Sequence, residues 1–475
     1  MNTPLRVVII GGGTSGYMCA AALTGAIKPG LCDVRLIESE DIGTVGVGEA
    51  TLPHVRDFNR FVGIDEAEFM RMTQATIKLG IEFVDWGKKG NSYIHPFGAF
   101  GHNWAGIEFH HHWLRAKQHG LGPGSLEDYS FAIAAARARR FDFPSEDLKT
   151  VQSTYSYAYH FDAGLYAAYL RGFAEARGLL RTEGRVVDVT LDATSGDIAT
   201  VTLASGETVE GDLFIDCSGF RALLIGQALN VGWEDWSPWL PCDRAMAVPC
   251  ARSEDFTPFT RSTALEAGWQ WRIPLQHRTG NGYVYASRFI SDEAAAERLL
   301  GNLDGPALAD PKLLRFQAGR RVKSWYRNCL TIGLSCGFLE PLESTSIYLA
   351  QISIMTLIQR LPTLPIDPRL SDEFNRVIDM EYERVRDFLI LHYHAQTRED
   401  GELWRYTRDM PVPDSLVWRT AQFRHRGHIR RYKDGLFSPD SWLAVFVGQD
   451  IEAGHHNRMA EVIDLVSLEQ KLGEL

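Results

Sequence analysis

Cysteine is sparse in this chain. Its seven cysteines are scattered, odd in number and without a C-x-x-C pair, which argues against a disulfide framework and against structural zinc. Long apolar runs are also missing: none could span a bilayer without charges. No signal peptide is expected, because Met1-Asn2-Thr3-Pro4 passes directly into Leu5-Arg6-Val7-Val8-Ile9-Ile10. Positive charge is scarce, with 49 Lys and Arg against 60 Asp and Glu and a net charge of -11, so nucleic acid is an unfavourable partner. The densest basic stretch, Arg424-His425-Arg426-Gly427-His428-Ile429-Arg430-Arg431, reads as a solvated helix face. His110, His111 and His112 are adjacent and cannot converge on one ion, and no carboxylate at helical spacing completes a site, so no metal is expected. What remains is ordinary globular composition, 45% apolar and 23% charged over 475 residues. It is read as a reduced, cytoplasmic protein of two or three structural units, with no membrane partner.

The N-terminal pattern is specific. An apolar β-branched run, Leu5 to Ile10, leads into Gly11, Gly13 and Gly16 at G-x-G-x-x-G spacing, then an Ala-rich helix. A second strand, Asp33-Val34-Arg35-Leu36-Ile37, ends at Glu38. The glycines give a tight turn, close approach of a pyrophosphate and close helix packing, and Glu38 can accept from ribose hydroxyls. The fingerprint itself leaves FAD and NAD both open. The later run Ile42-Gly43-Thr44-Val45-Gly46-Val47-Gly48-Glu49-Ala50-Thr51 brings many amides close to a partner, with a flavin the favoured candidate. Residues 207–220 read as a hairpin arm, a buried strand and a Gly turn, with which two-dinucleotide-fold flavoproteins return to the cofactor sheet.

A third signal lies at Phe338-Leu339-Glu340-Pro341-Leu342-Glu343-Ser344-Thr345-Ser346-Ile347, ahead of an apolar helical run. Glu343 stands beside free helix amides of Thr345 and Ser346, a place to hold an anion and a positively polarised substrate together. The hexapeptide Trp269-Gln270-Trp271-Arg272-Ile273-Pro274 alternates aromatic and polar residues as a strand would.

With these motifs the chain resembles the flavin-dependent halogenases of the tryptophan halogenase type. Further matches are Ala75-Thr76-Ile77-Lys78-Leu79-Gly80, His95-Pro96-Phe97-Gly98 and Tyr159-His160-Phe161-Asp162-Ala163. The resemblance runs to about residue 393 and returns weakly at 441–449. It implies FAD supplied as FADH2 by a separate flavin reductase, oxygen, and chloride or bromide as second substrate. Gly11, Gly13, Thr14, Ser15, Gly16, Glu38, Gly48, Glu49, Ala50, Gly333 and Leu334 would face the cofactor. Hypohalous acid would reach Lys78, which either hydrogen-bonds it or forms a haloamine, and Glu343 would polarise the halogen and stabilise charge on the attacked ring. Thr345 and Ser346 would hold the halide, and His95, Phe97 and Trp442 the substrate. Trp269, Trp271, Ile273 and Pro274 would bar substrate from the peroxyflavin.

Two departures carry expectations. Ser346 stands where the family usually has Gly, putting a side chain near the halide. The aromatic and acidic insertion that grips free tryptophan is absent, since Arg430 to Asp440 runs almost directly into Ser441-Trp442. The expected activity is therefore bromination or chlorination of indole or an indole derivative. A halogenase of free tryptophan and an NAD(P)H-using FAD aromatic monooxygenase are the alternatives, and a flavin-binding module without catalysis is a rival of another class. Ser218-Gly219, where such monooxygenases usually carry Asp-Gly, weighs against the monooxygenase.

The expected fold is α/β, a two-dinucleotide-binding-fold, monooxygenase-like flavoprotein with an inserted mixed sheet and a C-terminal helical subdomain. Residues 1–370 would form the FAD module interleaved with the substrate-side sheet, and 371–475 the helical unit, in a monomer or homodimer. Residues 53–86 are expected to be helical and 372–393 a long amphipathic helix.

Overall fold

The computed structural model describes residues 3–40, 48–254 and 256–475. The Gly-rich stretch 42–47 lies outside the described residues.

The organising element is a six-stranded sheet in the order Trp325–Tyr326, Cys329–Thr331, Leu213–Asp216, Leu5–Ile10, Cys32–Glu38, Leu180–Glu183. The pairings from Cys329–Thr331 outward are parallel. Helices cover such a sheet, so its strands read as continuous apolar runs, as Leu5–Ile10 does. The helix Thr14–Gly25 buries its residues from Gly16 to Leu23, and small Gly16, Cys19 and Ala20 to Ala22 let it pack close to its neighbours. The expected return strand is Leu213–Asp216, beside Leu5–Ile10.

A seven-stranded sheet forms the second layer, in the order Lys312–Arg315, Arg244–Cys250, Thr279–Tyr285, Gly268–Pro274, Thr260–Leu265, Gly80–Val84, Ser92–Pro96. It is antiparallel except where Thr260–Leu265 meets Gly80–Val84, and so it is the mixed inserted sheet. A small antiparallel sheet, Gly48–Ala50, Ala158–Asp162 and Thr76–Lys78, bridges the two layers.

The expectation of helix across residues 53–86 is corrected. Helices occupy only His54–Val62 and Glu66–Thr73, and Gln74 in the left-handed region stops the second. Thr76–Lys78 and Gly80–Val84 are strands, because β-branched Thr76 and Ile77 and the alternating burial beyond them suit a pleated surface. Lys78 thus sits on a buried strand.

The C-terminal region is helical. Helix Pro368–His394 begins at an Asp367 cap, and the division expected at residue 371 falls inside it. It packs on helix Thr345–Gln359, with the Tyr348 hydroxyl donating to Glu381 at 3.0 Å. Helix Pro439–Gly448 lies against strand Ser92–Pro96 and brings residues 436–441 to the edge of the inserted sheet. Among the described residues no helix is long and apolar enough to cross a membrane.

Candidate active site between two cavities

The first strand, its glycine turn and the following helix open onto a cavity of about 500 Å³. Gly11, Gly13, Thr14, Ser15 and Glu38 line it from one end, and Gly48, Glu49 and Ala50 from the small bridging sheet. Gly333 and Leu334 join from beyond the return strands. Gly16 serves packing: a Cβ there would stand 1.9 Å from the Gly11 carbonyl oxygen. At Gly13 a Cβ would meet nothing within 4 Å, so the backbone there faces open space. The cradle suits a pyrophosphate lying on a helix N-terminus. Glu38 accepts from the Tyr17 hydroxyl and from Arg181 Nε at 2.6 Å, and a Cβ on Gly12 would strike its second oxygen. Burial raises the Glu49 carboxyl to about 7. These residues fit a dinucleotide flavin.

The far end of this cavity is lined by Trp269, Trp271 and Ile273 and by Glu343, Ser344 and Ser346. The two tryptophan rings lie 6.2 Å apart on one strand. Pro274 acts differently from these lining residues. Its carbonyl accepts from the Thr76 hydroxyl at 2.7 Å and ties the strand that carries Lys78 to the tryptophan strand. His160 completes this tie, with Nδ1 3.1 Å from Thr76 Oγ1 and Nε2 2.9 Å from Thr260 Oγ1.

Helix Thr345–Gln359 starts from a turn in which Glu340, Glu343 and Ser344 all have positive φ, at 87°, 62° and 59°. Non-glycine residues pay conformational energy there, and such clusters mark sites where the surroundings dictate geometry. Glu343 is buried, with His95 Nδ1 at 2.8 and 2.9 Å from its two oxygens and His392 Nε2 at 2.9 Å from one. Burial raises its carboxyl, but the charges and hydrogen bonds of the two histidines outweigh that and hold it at about 2. His392 has an acceptor at each ring nitrogen, since Nδ1 lies 2.8 Å from the Phe388 carbonyl.

Lys78 is fully buried, and its ammonium donates to the Thr51 carbonyl and to Ser344 Oγ, both at 2.9 Å. Burial lowers it to about 7, against the opposing pull of Glu343. Its Nζ also lies 5.1 Å from the centre of the Phe97 ring.

Phe97 and His95 line a second pocket of about 300 Å³, with Leu436, Phe437 and Asp440 on its other side. Phe437 stacks on Phe388 at 3.8 Å, and Trp442 packs edge-on behind Phe388 at 5.0 Å while holding Arg419 over its ring. Trp442 thus supports the aromatic wall. Thr345 is buried in the first helical turn, and Ser346 faces the large cavity. Lys78 and Glu343 therefore occupy the partition: the partner of Lys78, Ser344, faces one cavity, and the partner of Glu343, His95, faces the other.

Sequence reasoning missed Ser344, His392 and Phe437 as members of the site. His392 lies on the inward stripe of the long helix, where periodicity marks burial but not partnership. Phe437 lies in a segment notable mainly for its shortness.

A family model described as tryptophan halogenase matches residues 6–464. The chain belongs to the tryptophan halogenase family. It is 37% identical over 481 residues to tryptophan 6-halogenase SttH of Streptomyces toxytricini, covering 94% of this chain and 90% of that protein. It is 34% identical over 447 residues to tryptophan 7-halogenase RebH of Lentzea aerocolonigenes, covering 88% and 82%. Among solved structures it is similar to Xcc4156, a flavin-dependent halogenase from Xanthomonas campestris, with TM-score 0.96 and 46% identity over 100% of this chain and 94% of that one. BrvH, a flavin-dependent halogenase from Brevundimonas sp. BAL3, gives TM-score 0.95 and 44% identity over 100% and 95%. This halogenase is thus an oxidoreductase of the flavin-dependent class, and the class implies FAD, a separate flavin reductase and an aromatic substrate. Among the described residues no group of three His, Cys, Asp or Glu is placed to hold a metal.

Proposed function

We propose that the protein brominates or chlorinates indole, a substituted indole or a larger indole-bearing molecule. The observation that carries this reading is the partition in which Lys78, joined to Ser344, and Glu343, joined to His95, stand between the cofactor cavity and the aromatic pocket. Reduced FAD, when bound, supplies with oxygen the oxidising equivalents that turn halide into hypohalous acid. The free amides at Thr345 and Ser346 would hold the halide at the helix N-terminus. Trp269, Trp271 and Ile273 would exclude the organic substrate from the flavin side. Lys78 would receive the oxidised halogen by a hydrogen bond or as a haloamine. Its lowered basicity favours the haloamine, because a neutral amine is the nucleophilic form. Glu343, kept ionised by its two histidines, would stabilise the positive charge that builds on the attacked ring. Phe97 and Phe437 would hold the ring between aromatic faces. Ser346 would tune the choice between chloride and the larger bromide. Seven unpaired cysteines support a reducing, cytoplasmic setting.

The rival substrate is free tryptophan, favoured by the similarity to SttH and RebH. The deciding experiment supplies purified protein with a flavin reductase, NADH, bromide and either indole or tryptophan, and reads brominated product by its isotope doublet. A higher kcat/KM for indole is expected. A higher value for tryptophan would overturn the substrate assignment, and NADH oxidation without the reductase would return the monooxygenase reading.

A further inference from the structure

The turn before helix Thr345–Gln359 carries two buried carboxyls three residues apart, and only Glu343 has a role in the relay. Glu340 is 0% exposed and has a φ of 87°. Among the described residues, neither of its carboxyl oxygens has a hydrogen-bond partner, and neither does Trp269 Nε1. Orphaned buried polar atoms are uncommon, and several in one place call for a common explanation. The polar groups facing Glu340 are Tyr393 from the long helix, Trp269 from the tryptophan strand and Cys242 from the chain before strand Arg244–Cys250. Cys242 Sγ and the Tyr393 hydroxyl are themselves 3.4 Å apart. None of these three groups is cationic. An ionised carboxylate in such a place would lack both water and counter-charge, which is among the costliest arrangements in a protein interior. Burial pushes the Glu340 carboxyl to about 8, so it remains mostly protonated at neutral pH. A neutral carboxyl has one donor and free acceptor sites, and its neighbours supply an indole N–H, a phenolic hydroxyl and a thiol.

Position gives this acid its meaning. Trp269 touches Trp271 on one side and Trp86 on the other, each at 6.2 Å, and its ring lines the large cavity. Tyr393 is the neighbour in sequence of His392, which holds Glu343. One turn and one helix thus present two matched pairs: Glu343 with His392, and Glu340 with Tyr393.

We infer that Glu340 is a positioning residue whose protonated carboxyl accepts from the Trp269 indole N–H and, through Tyr393, locks the tryptophan wall to the helix that orients Glu343. The acid never touches substrate; it fixes the wall that separates substrate from cofactor.

The pairing is testable without turnover. In protein carrying 15N-labelled tryptophan, the Trp269 indole resonance, assigned by its loss in Trp269→Phe, should change in Glu340→Leu and stay near its parental position in Glu340→Gln, whose amide oxygen can still accept. Stability against pH gives a second reading from Glu340→Gln alone. A carboxyl whose folded pKa lies above its unfolded one stabilises fully below the unfolded value, and that stabilisation fades as pH rises. Urea unfolding of Glu340→Gln minus parent should therefore shift in favour of Gln from pH 4.5 to about 8 and then level. In turnover, Glu340→Gln should keep halogenation within about threefold, and Glu340→Leu should lose about tenfold in kcat with FAD affinity unchanged and more hydrogen peroxide released. A flat stability difference across that range would show Glu340 ionised, and an unmoved Trp269 resonance in Glu340→Leu would remove the contact. Either result overturns the inference. The resonance and pH readings do not depend on the halogenation reading, so the two can fail separately.

Discussion

Lys78 puts an amine where water cannot reach it and gives it neutral oxygens to bond, the Thr51 carbonyl and the Ser344 hydroxyl. Under the proposed function that arrangement serves chemistry, and removing the charge should stabilise the fold. Lys78→Met is expected to abolish halogenation, leave FAD binding unchanged and raise unfolding free energy at neutral pH by about 0.5–2 kcal/mol. The folded Lys78 pKa of about 7 lies below the ordinary 10.5, so the unfolded chain holds the extra proton between those values. Parental stability should rise as pH climbs through that window, and Lys78→Met should lack this contribution; identical urea midpoints for both proteins from pH 7 to 10 would refute it. Lys78 and Glu343 were legible in the sequence because each sits inside a short motif. His392 was not, since a hydrogen bond reaching 49 residues along the chain leaves no local mark; Ser344 shares the motif of Glu343, but its partnership with Lys78 spans 266 residues and so was not legible.

The element that shapes the partition is the hairpin of Gly268–Pro274 and Thr279–Tyr285. Gly282 lies opposite Trp271, and a Cβ on Gly282 would stand 2.1 Å from the indole ring. The ring rests on the glycine, and that missing side chain sets its tilt. Gly282→Ala should push Trp271 into the large cavity and weaken FAD binding about tenfold or more, measured by fluorescence quenching; unchanged affinity would mean that the strand shifts instead. The strand character of the tryptophan hexapeptide was readable from its alternation, whereas that of Thr76–Lys78 was not. A three-residue strand is too short to show a period, and its identity comes from pairing with Ala158–Asp162.

At the scale of the molecule, a histidine-rich corner joins distant parts of the chain. His110 Nε2 lies 2.9 Å from the Gly427 carbonyl, and the Asn457 amide donates to His111 Nδ1 at 3.2 Å. Burial lowers His110, His111, His112, His428 and His456, with His111 down to about 3. A base depressed in the folded state stabilises above its unfolded pKa, and that contribution is lost as pH falls. The melting temperature should therefore drop between pH 6.5 and 4.5, and His111→Asn should flatten the drop; an unaltered slope would place the acid sensitivity elsewhere. The layered α/β plan was legible from the glycine fingerprint and the return strand. The docking of the last hundred residues was not, because it depends on which helix faces meet.

That docking divides the labour of the two cavities. Lys78 rides on the bridging sheet and Glu343 on the turn behind it, whereas Leu436, Phe437 and Asp440 reach the aromatic pocket from a short link before helix Pro439–Gly448. Under the proposed function, new substrates can therefore be courted by lengthening or recolouring that link, while the oxidising machinery upstream is inherited untouched.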